Sequence, residues 1–118
     1  MLNEIAAQLI QERSAVSLIR QIELADIQAV YGIDSQAFGF EAYPIFFFRQ
    51  AYELYPETFL VASAGGEIVG YCLGAPTEAN RRRGWILSLA VSSNYRRRGH
   101  GSRLLSKTLE ALRETGCN

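Results

Sequence analysis

A short bend between two regular segments constrains the fold of this chain more than any other feature. The apolar stretch WILSLAV, residues 85–91, is typical of a buried strand, and the amphipathic stretch from Gly101 to Thr115 is typical of a helix. Between them lies NYRRRGHG, which holds three consecutive arginines and two glycines separated by one residue. Glycine adopts main-chain angles that other residues resist and leaves room for a ligand to approach. The bend is therefore expected to face a ligand.

The residue types in this bend favour an anion. The first amides of a helix point outwards at the positive end of the helix dipole, and successive amides of this kind form an anion-binding concavity. Arginine adds forked donors that match phosphate oxygens. We therefore predict that the bend is a pyrophosphate cradle.

Two common phosphate signatures do not fit this bend. The P-loop needs a Gly-Lys-Ser/Thr run, which does not follow here, and nothing in the sequence marks a magnesium site. The dinucleotide fingerprint needs a third glycine, and that position is Leu104. The phosphate compound must therefore be identified from other features of the chain.

The rest of the chain predicts an α/β fold. A helical arm is expected over residues 1–15 and one domain over residues 16–118. Within the domain, the patterns predict, in chain order, a strand (Val16–Ile22), a helix (Ala25–Phe38), a helix (Pro44–Tyr55), strands (Thr58–Ala64, Ile68–Ala75, Trp85–Val91) and a helix (Gly101–Thr115). Gly65-Gly66 predicts a tight turn. This order favours an antiparallel meander flanked by helices.

The segment SLAVSSNYRRRGHGSRLL resembles the acetyl-CoA-binding motif of the GNAT superfamily of N-acetyltransferases. In that motif Arg or Gln, two residues, Gly, one residue, and Gly or Ala follow the strand that receives the coenzyme. Arg96, Gly99 and Gly101 occupy those positions. Upstream, LIRQIELADIQAVYGID resembles the first strand and helix of the family. The resemblance runs from about Ser17 to the last residue and is nearest to the ribosomal-protein N-terminal-alanine acetyltransferases.

The resemblance implies an enzyme that moves an acetyl group from acetyl-CoA to a primary amine by direct attack. The amine would belong to a peptide N-terminus, a lysine or a small molecule. The amides of Arg97 through Ser102 would hold the pyrophosphate, and Leu89 and Val91 would pair with the pantetheine arm. The implied coenzyme-binding residues lie on the strand and in the bend: Leu89, Ala90, Val91, Arg96, Arg97, Arg98, Gly99, His100, Gly101 and Ser102. No metal is implied.

Two departures from the family pattern leave the catalytic residues unknown. Trp85 stands where some members carry a catalytic glutamate, and Ser88, Glu41 and Glu78 remain open as alternatives. The chain ends at ETGCN, where the family normally begins its fifth strand. We therefore expect the N-terminal portion of an acetyltransferase domain, without the C-terminal strands. An open edge at the fourth strand would favour a homodimer.

Individual side chains carry more modest expectations. His100, the single histidine, is expected to be exposed and not catalytic, and Cys117 is expected to be an exposed thiol. Cys72 is expected in the core, and Trp85 is expected to pack against the protein. Arg81–Arg83 has no glycine context and is expected to be a solvated loop.

Composition limits the function classes. With 118 residues, 48% hydrophobic and 20% charged, the chain predicts one soluble domain. No apolar run is long enough to cross a membrane, the first residues do not form a secretory signal, and two cysteines make no framework, so a cytoplasmic setting is expected.

The net charge is zero, but residues 1–80 hold ten acidic and three basic residues, and residues 81–118 hold two acidic and nine basic ones. This asymmetry suggests that the C-terminal part meets an anion, although the two halves could equally attract each other. A non-catalytic coenzyme A-binding domain that acts through a partner remains an alternative. Nucleic-acid binding is a distant one, since the net charge and the lack of a reader motif argue against it.

Overall fold

The computed structural model of the chain describes residues 17–77 and 82–117. The helical arm predicted over residues 1–15 lies outside these ranges, and so do Glu78 and Arg81. No helix among the described residues has the length and apolar character needed to cross a membrane.

The described residues form four strands and three helices that follow the predicted order. The strands are β1 (Leu18–Gln21), β2 (Phe59–Ala64), β3 (Glu67–Pro76) and β4 (Gly84–Val91). The helices are α1 (Ile27–Phe38), α2 (Ile45–Leu54) and α3 (His100–Glu114). Short 3-10 turns precede α1, follow it and follow β4, at Leu24–Asp26, Gly39–Glu41 and Ser93–Tyr95.

The strands form one antiparallel sheet in the order β1-β2-β3-β4. Gly65 and Gly66 have φ values of 57° and 83°, so they make the predicted turn between β2 and β3. Within the described residues β4 forms an edge of the sheet, and its other side is unpaired. The predicted α/β class with an antiparallel meander is confirmed.

Two layers of helices cover the sheet. Helices α1 and α2 bury an aromatic core against one face, where Phe48, Phe59 and Tyr71 are fully buried and contact one another edge-on or tilted. Helix α3 covers the opposite face, where Leu104 packs against Leu60 and its neighbours. The alternation of side chains along β2 produces this division, since Phe59 and Val61 point to one core and Leu60 and Ala62 to the other.

Glycines in β3 allow α3 to lie close to the sheet. A Cβ atom added to Gly74 would come within 2.8 Å of Thr108 Cγ2, and one added to Gly70 would come within 3.0 Å of Leu104 Cδ1. At these distances, a side chain in place of either glycine would clash with side chains of α3. The contact fixes α3 over β3, so that its first turn lies near the end of β4.

One irregularity interrupts the middle of β4. Leu73 pairs with Ser88, whereas Gly74 pairs with Ile86, so Leu87 is an extra residue in β4. Such a bulge re-aims the strand locally and is common beside functional sites.

Three side chains in the described ranges test the simpler expectations. Cys72 is fully buried, as predicted. Cys117 is 6% exposed because the chain after α3 turns back towards Leu112 and Gly84, so the prediction of an exposed thiol is wrong. Trp85 is 64% exposed on the edge strand, so the prediction that it packs against the protein is also wrong.

Candidate functional site

A cleft opens where β4 ends and α3 begins. Its volume is about 470 Å³. The end of β4, the connection to α3, the first turn of α3 and the end of α1 line it. The lining residues are Ala37, Phe38, Leu89, Ala90, Val91, Tyr95, Arg96, Arg97, Gly99, His100, Gly101 and Ser102. Nine of the ten residues expected to bind the coenzyme therefore line one cavity.

The first amides of α3 are left without partners inside the helix. The first helical hydrogen bond runs from the Arg103 N–H to the Gly99 carbonyl over 3.1 Å, and the amides of His100, Gly101 and Ser102 precede it. Gly99 is the residue before the helix, and no side chain caps these amides there. Such amides carry the positive end of the helix dipole and need an acceptor. We call the three amides of residues 100–102 the cradle.

The two glycines of the bend have different roles. Gly99 has φ 84° and ψ 3°, a left-handed conformation that glycine adopts most easily. Gly101 has no positive φ, and a Cβ atom there would lie 3.7 Å from Val91 Cγ2, an ordinary contact. The main-chain freedom of glycine is therefore used at Gly99, whereas Gly101 has an ordinary conformation and lines the cleft without a side chain. Arg97 is also left-handed, with φ 65°, which the sequence did not indicate.

The arginines also differ from one another. Arg96 donates from Nε to the Val91 carbonyl over 3.0 Å, so it ties the bend to the end of β4. Arg97 lines the cleft, but Arg98 does not. Instead, the Arg98 guanidinium lies over the ring of Tyr95, 5.7 Å from its centroid. The structure therefore separates Arg98 from the other residues of the predicted set.

His100 turns its ring into the protein, and the prediction that it is exposed is wrong. The side chain is 3% exposed, because Nδ1 lies 2.9 Å from the hydroxyl of Ser17. Burial, followed by the charges of Arg103 and Arg98, lowers the pKa of His100 below its ordinary value. Its main chain belongs to the cradle, whereas its ring lies behind it.

A second polar group lies on the other face of the sheet, around the carboxylate of Asp34 in α1. Asp34 is fully buried. Its Oδ1 accepts a hydrogen bond from the Tyr71 hydroxyl, and Ser88 Oγ lies 2.6 Å from that hydroxyl and 3.3 Å from Oδ1. Its Oδ2 accepts from the main-chain N–H of Tyr43 over 2.8 Å. We call Asp34, Tyr71, Ser88 and the Tyr43 amide the Asp34 cluster.

The Asp34 cluster lies beside the bulge of β4. Burial and the hydrogen bond to Asp34 raise the pKa of Tyr71 well above its ordinary value, so the hydroxyl keeps its proton and donates it. Ser88 immediately follows the bulged residue Leu87. The sequence analysis assigned no role to Asp34, although the helical period places it on the inner side of α1. That position, on a face shared with Ile27 and Val30, was the available signal.

None of the described residues considered for the role of general base is identified as one by its surroundings. Ser88 is engaged in the Asp34 cluster and is 9% exposed. Glu41 ends the turn after α1 and is exposed. Trp85 lies exposed on β4 and carries no basic group. Among residues 17–77 and 82–117, no three His, Cys, Asp or Glu side chains come together in a way that could hold a metal ion.

Comparisons with known proteins return similar sequences and similar folds. The sequence profile described as "Acetyltransferase (GNAT) family" matches residues 24–118. An N-alpha-acetyltransferase of Sulfurisphaera tokodaii is 33% identical over 107 residues, which cover 81% of this chain and 62% of that protein. The chain thus spans less than two thirds of that relative's length.

Two solved structures share the fold at recognisable sequence identity. Ard1 from Thermoplasma volcanium has a TM-score of 0.77 and 31% identity, covering 86% of this chain and 66% of that chain. The ribosomal-protein-alanine N-acetyltransferase from Brucella melitensis has a TM-score of 0.68 and 30% identity, covering 82% of this chain and 67% of that chain.

Proposed function

Because the chain belongs to the GNAT acetyltransferase family, we propose that it binds acetyl-CoA at the cradle and transfers the acetyl group to a primary amine. The single observation that carries this proposal is that the uncapped amides at the start of α3 belong to residues 100–102, which line the cleft at the end of β4. An anion with several oxygens, such as the diphosphate of the coenzyme, supplies the acceptors that these amides lack.

Each part of the cleft has a role in this proposal. The left-handed Gly99 aims the cradle, Arg97 adds positive charge at its side, and Arg96 holds the bend against β4. The pantetheine arm would run along Leu89, Ala90 and Val91, at the edge of the sheet. The Val91 carbonyl already accepts from Arg96, so pairing at that carbonyl would compete with the Arg96 contact.

The reaction would need only modest help from the protein. The amine nitrogen attacks the thioester carbon, the carbon–sulfur bond breaks, and the proton lost by the amine balances the thiolate that leaves. Main-chain amides near the bulge of β4 would stabilise the charge that develops on the carbonyl oxygen. An α-amino group, with a pKa of about 8, is partly deprotonated at neutral pH, whereas a lysine has a pKa of about 10.4. We therefore propose a peptide N-terminus as the preferred acceptor, in keeping with the named activity of the relatives.

Thermal unfolding with and without acetyl-CoA tests coenzyme binding. A ligand at 100 times its Kd should stabilise the chain by about 2.7 kcal/mol, which raises the Tm by several degrees. Acetylation of short peptides, followed by mass spectrometry, then tests transfer. Binding without any transfer would favour the non-catalytic coenzyme-binding alternative, and the absence of any stabilisation would contradict the proposal.

A further inference from the structure

The buried ring of His100 lies directly behind the cradle. His100 is the first residue of α3, its main-chain N–H belongs to the cradle, and its side chain is 3% exposed. Nδ1 is 2.9 Å from Ser17 Oγ, whereas Nε2 is buried and has no hydrogen-bond partner among the described residues. A buried polar atom without a partner is costly and calls for an explanation.

The Ser17 hydroxyl connects the cradle to the start of β1. Arg103 Nη1 lies 2.8 Å from the same Ser17 oxygen, and a guanidinium can only donate, so this oxygen accepts from Arg103. Ser17 is itself 1% exposed. Two side chains of the first turn of α3 are thus held by one buried hydroxyl on another element, which fixes the direction of the cradle amides.

Two positive charges lie near the ring of His100. Arg103 faces it from α3, and Arg98 acts on it from the connection between β4 and α3. Tyr95, from the same connection, contacts the ring edge-on at 6.0 Å between centroids and carries Arg98 on its face. At the start of β1, the hydroxyl of Ser17 contacts Nδ1 of the ring and carries no charge. Burial and the two cations favour the neutral ring.

An anion on the cradle would act in the opposite direction. Its charge would lie on the main-chain amides of the same helical turn, where it opposes the fields of Arg98, Arg103 and the helix dipole. In the tautomer in which Nδ1 donates to the Ser17 oxygen, the unpartnered Nε2 is the basic nitrogen and takes up the proton.

We propose that His100 is a positioning residue of the cradle, an inference that rests on the proposed function. In this proposal, His100 binds a proton when a diphosphate occupies the cradle. Coenzyme affinity then rises as the pH falls, because the ligand-bound form holds more protons than the free form. If the bound ligand raises the pKa of His100 by one, the affinity at low pH rises about tenfold.

Isothermal titration calorimetry measures this proton directly. Dephospho-coenzyme A is the appropriate ligand, since it keeps the diphosphate but lacks the 3′-phosphate monoester, a class of group that itself titrates near about pH 6. Titrations at about pH 6, where an ordinary histidine titrates, are run in two buffers of different ionisation enthalpy. The difference in observed heat gives the number of protons taken up.

His100→Asn is the matched variant, because the shorter amide can still reach towards Ser17 but does not titrate. The unaltered chain is expected to take up a measurable fraction of a proton and to bind more tightly as the pH falls. His100→Asn is expected to take up none and to bind with an affinity independent of pH. Ser17→Ala is expected to weaken binding about three- to tenfold, because it removes the hydroxyl that orients the first turn.

The outcomes distinguish this inference from the proposed function. If the unaltered chain binds dephospho-coenzyme A and His100→Asn shows the same proton uptake, the inference is overturned and the coenzyme site stands. If the unaltered chain does not bind the ligand at all, the proposed function falls and this inference falls with it. Circular dichroism of each variant shows that a lost response does not come from unfolding.

Discussion

The cradle and the Asp34 cluster are opposite solutions to the placement of polar groups around β4. At the cradle, residues 100–102 line an open cleft and no side chain at the start of the helix caps their amides. In the Asp34 cluster, a fully buried carboxylate receives donors on both oxygens, from Tyr71 and Ser88 on one and from the Tyr43 amide on the other.

This difference indicates which group awaits a ligand. Buried polar groups are almost always paired within the protein, and the Asp34 cluster obeys that rule. The amides of the cradle have no side-chain cap, and they lie at a place that solvent or a ligand can reach. The Asp34 cluster therefore holds the fold beside the β4 bulge, and the cradle is free to bind.

The largest expected effect follows from removing the shared acceptor of the Asp34 cluster. Asp34→Ala removes the acceptor of the buried Tyr71 and Ser88 hydroxyls, which can then bond only to each other, and the acceptor of the partly buried Tyr43 N–H. Each buried donor left without an acceptor costs about 1–3 kcal/mol. We expect the free energy of unfolding in urea to fall by at least about 3 kcal/mol. Asp34→Asn keeps the volume but turns an amide towards donors, so it should cost an intermediate amount. A loss below about 1 kcal/mol for Asp34→Ala would contradict the assignment of this cluster to stability.

A smaller effect on stability, but a decisive one on binding, is expected at Gly99. A valine at φ 84° is strained, at a cost of about 1–2 kcal/mol, and the strain would misdirect the cradle amides. We expect Gly99→Val to weaken acetyl-CoA binding at least about a hundredfold, measured by calorimetry.

Gly66→Val is the matched control for this change. Gly66 has φ 83° in the turn between β2 and β3, and a Cβ atom at either glycine would meet open space. The two variants should therefore lose similar stability, and only Gly99→Val should lose binding. Equal binding by both variants would contradict the role given to the cradle.

The sequence predicted the cradle better than the Asp34 cluster because the signals of the cradle are local. An apolar strand, an arginine and glycines lie within a single run of about 18 residues, and the helix that follows has a clear period. The partners of Asp34 are distant, since Tyr71 is 37 positions away and Ser88 is 54 positions away. No local pattern reports such pairing.

The errors have the same origin. His100 was expected to be exposed, but its partner Ser17 lies 83 positions earlier, where the chain enters β1. Residue type alone could not tell which of the two glycines needs a positive φ, and the structure shows that it is Gly99. Arg98 belongs to the same run of arginines as Arg96 and Arg97, but it lies over the ring of Tyr95 and does not line the cleft.

The most direct test of the central claim is a titration of the ¹⁵N-labelled chain with coenzyme A, followed by the main-chain amide resonances. We expect the largest changes at His100, Gly101 and Ser102, with their proton signals moving downfield as they acquire an acceptor, and little change at the amide of Tyr43 in the Asp34 cluster. If these three resonances stay in place while coenzyme A binds elsewhere, or if coenzyme A does not bind at all, the cradle is not the coenzyme site.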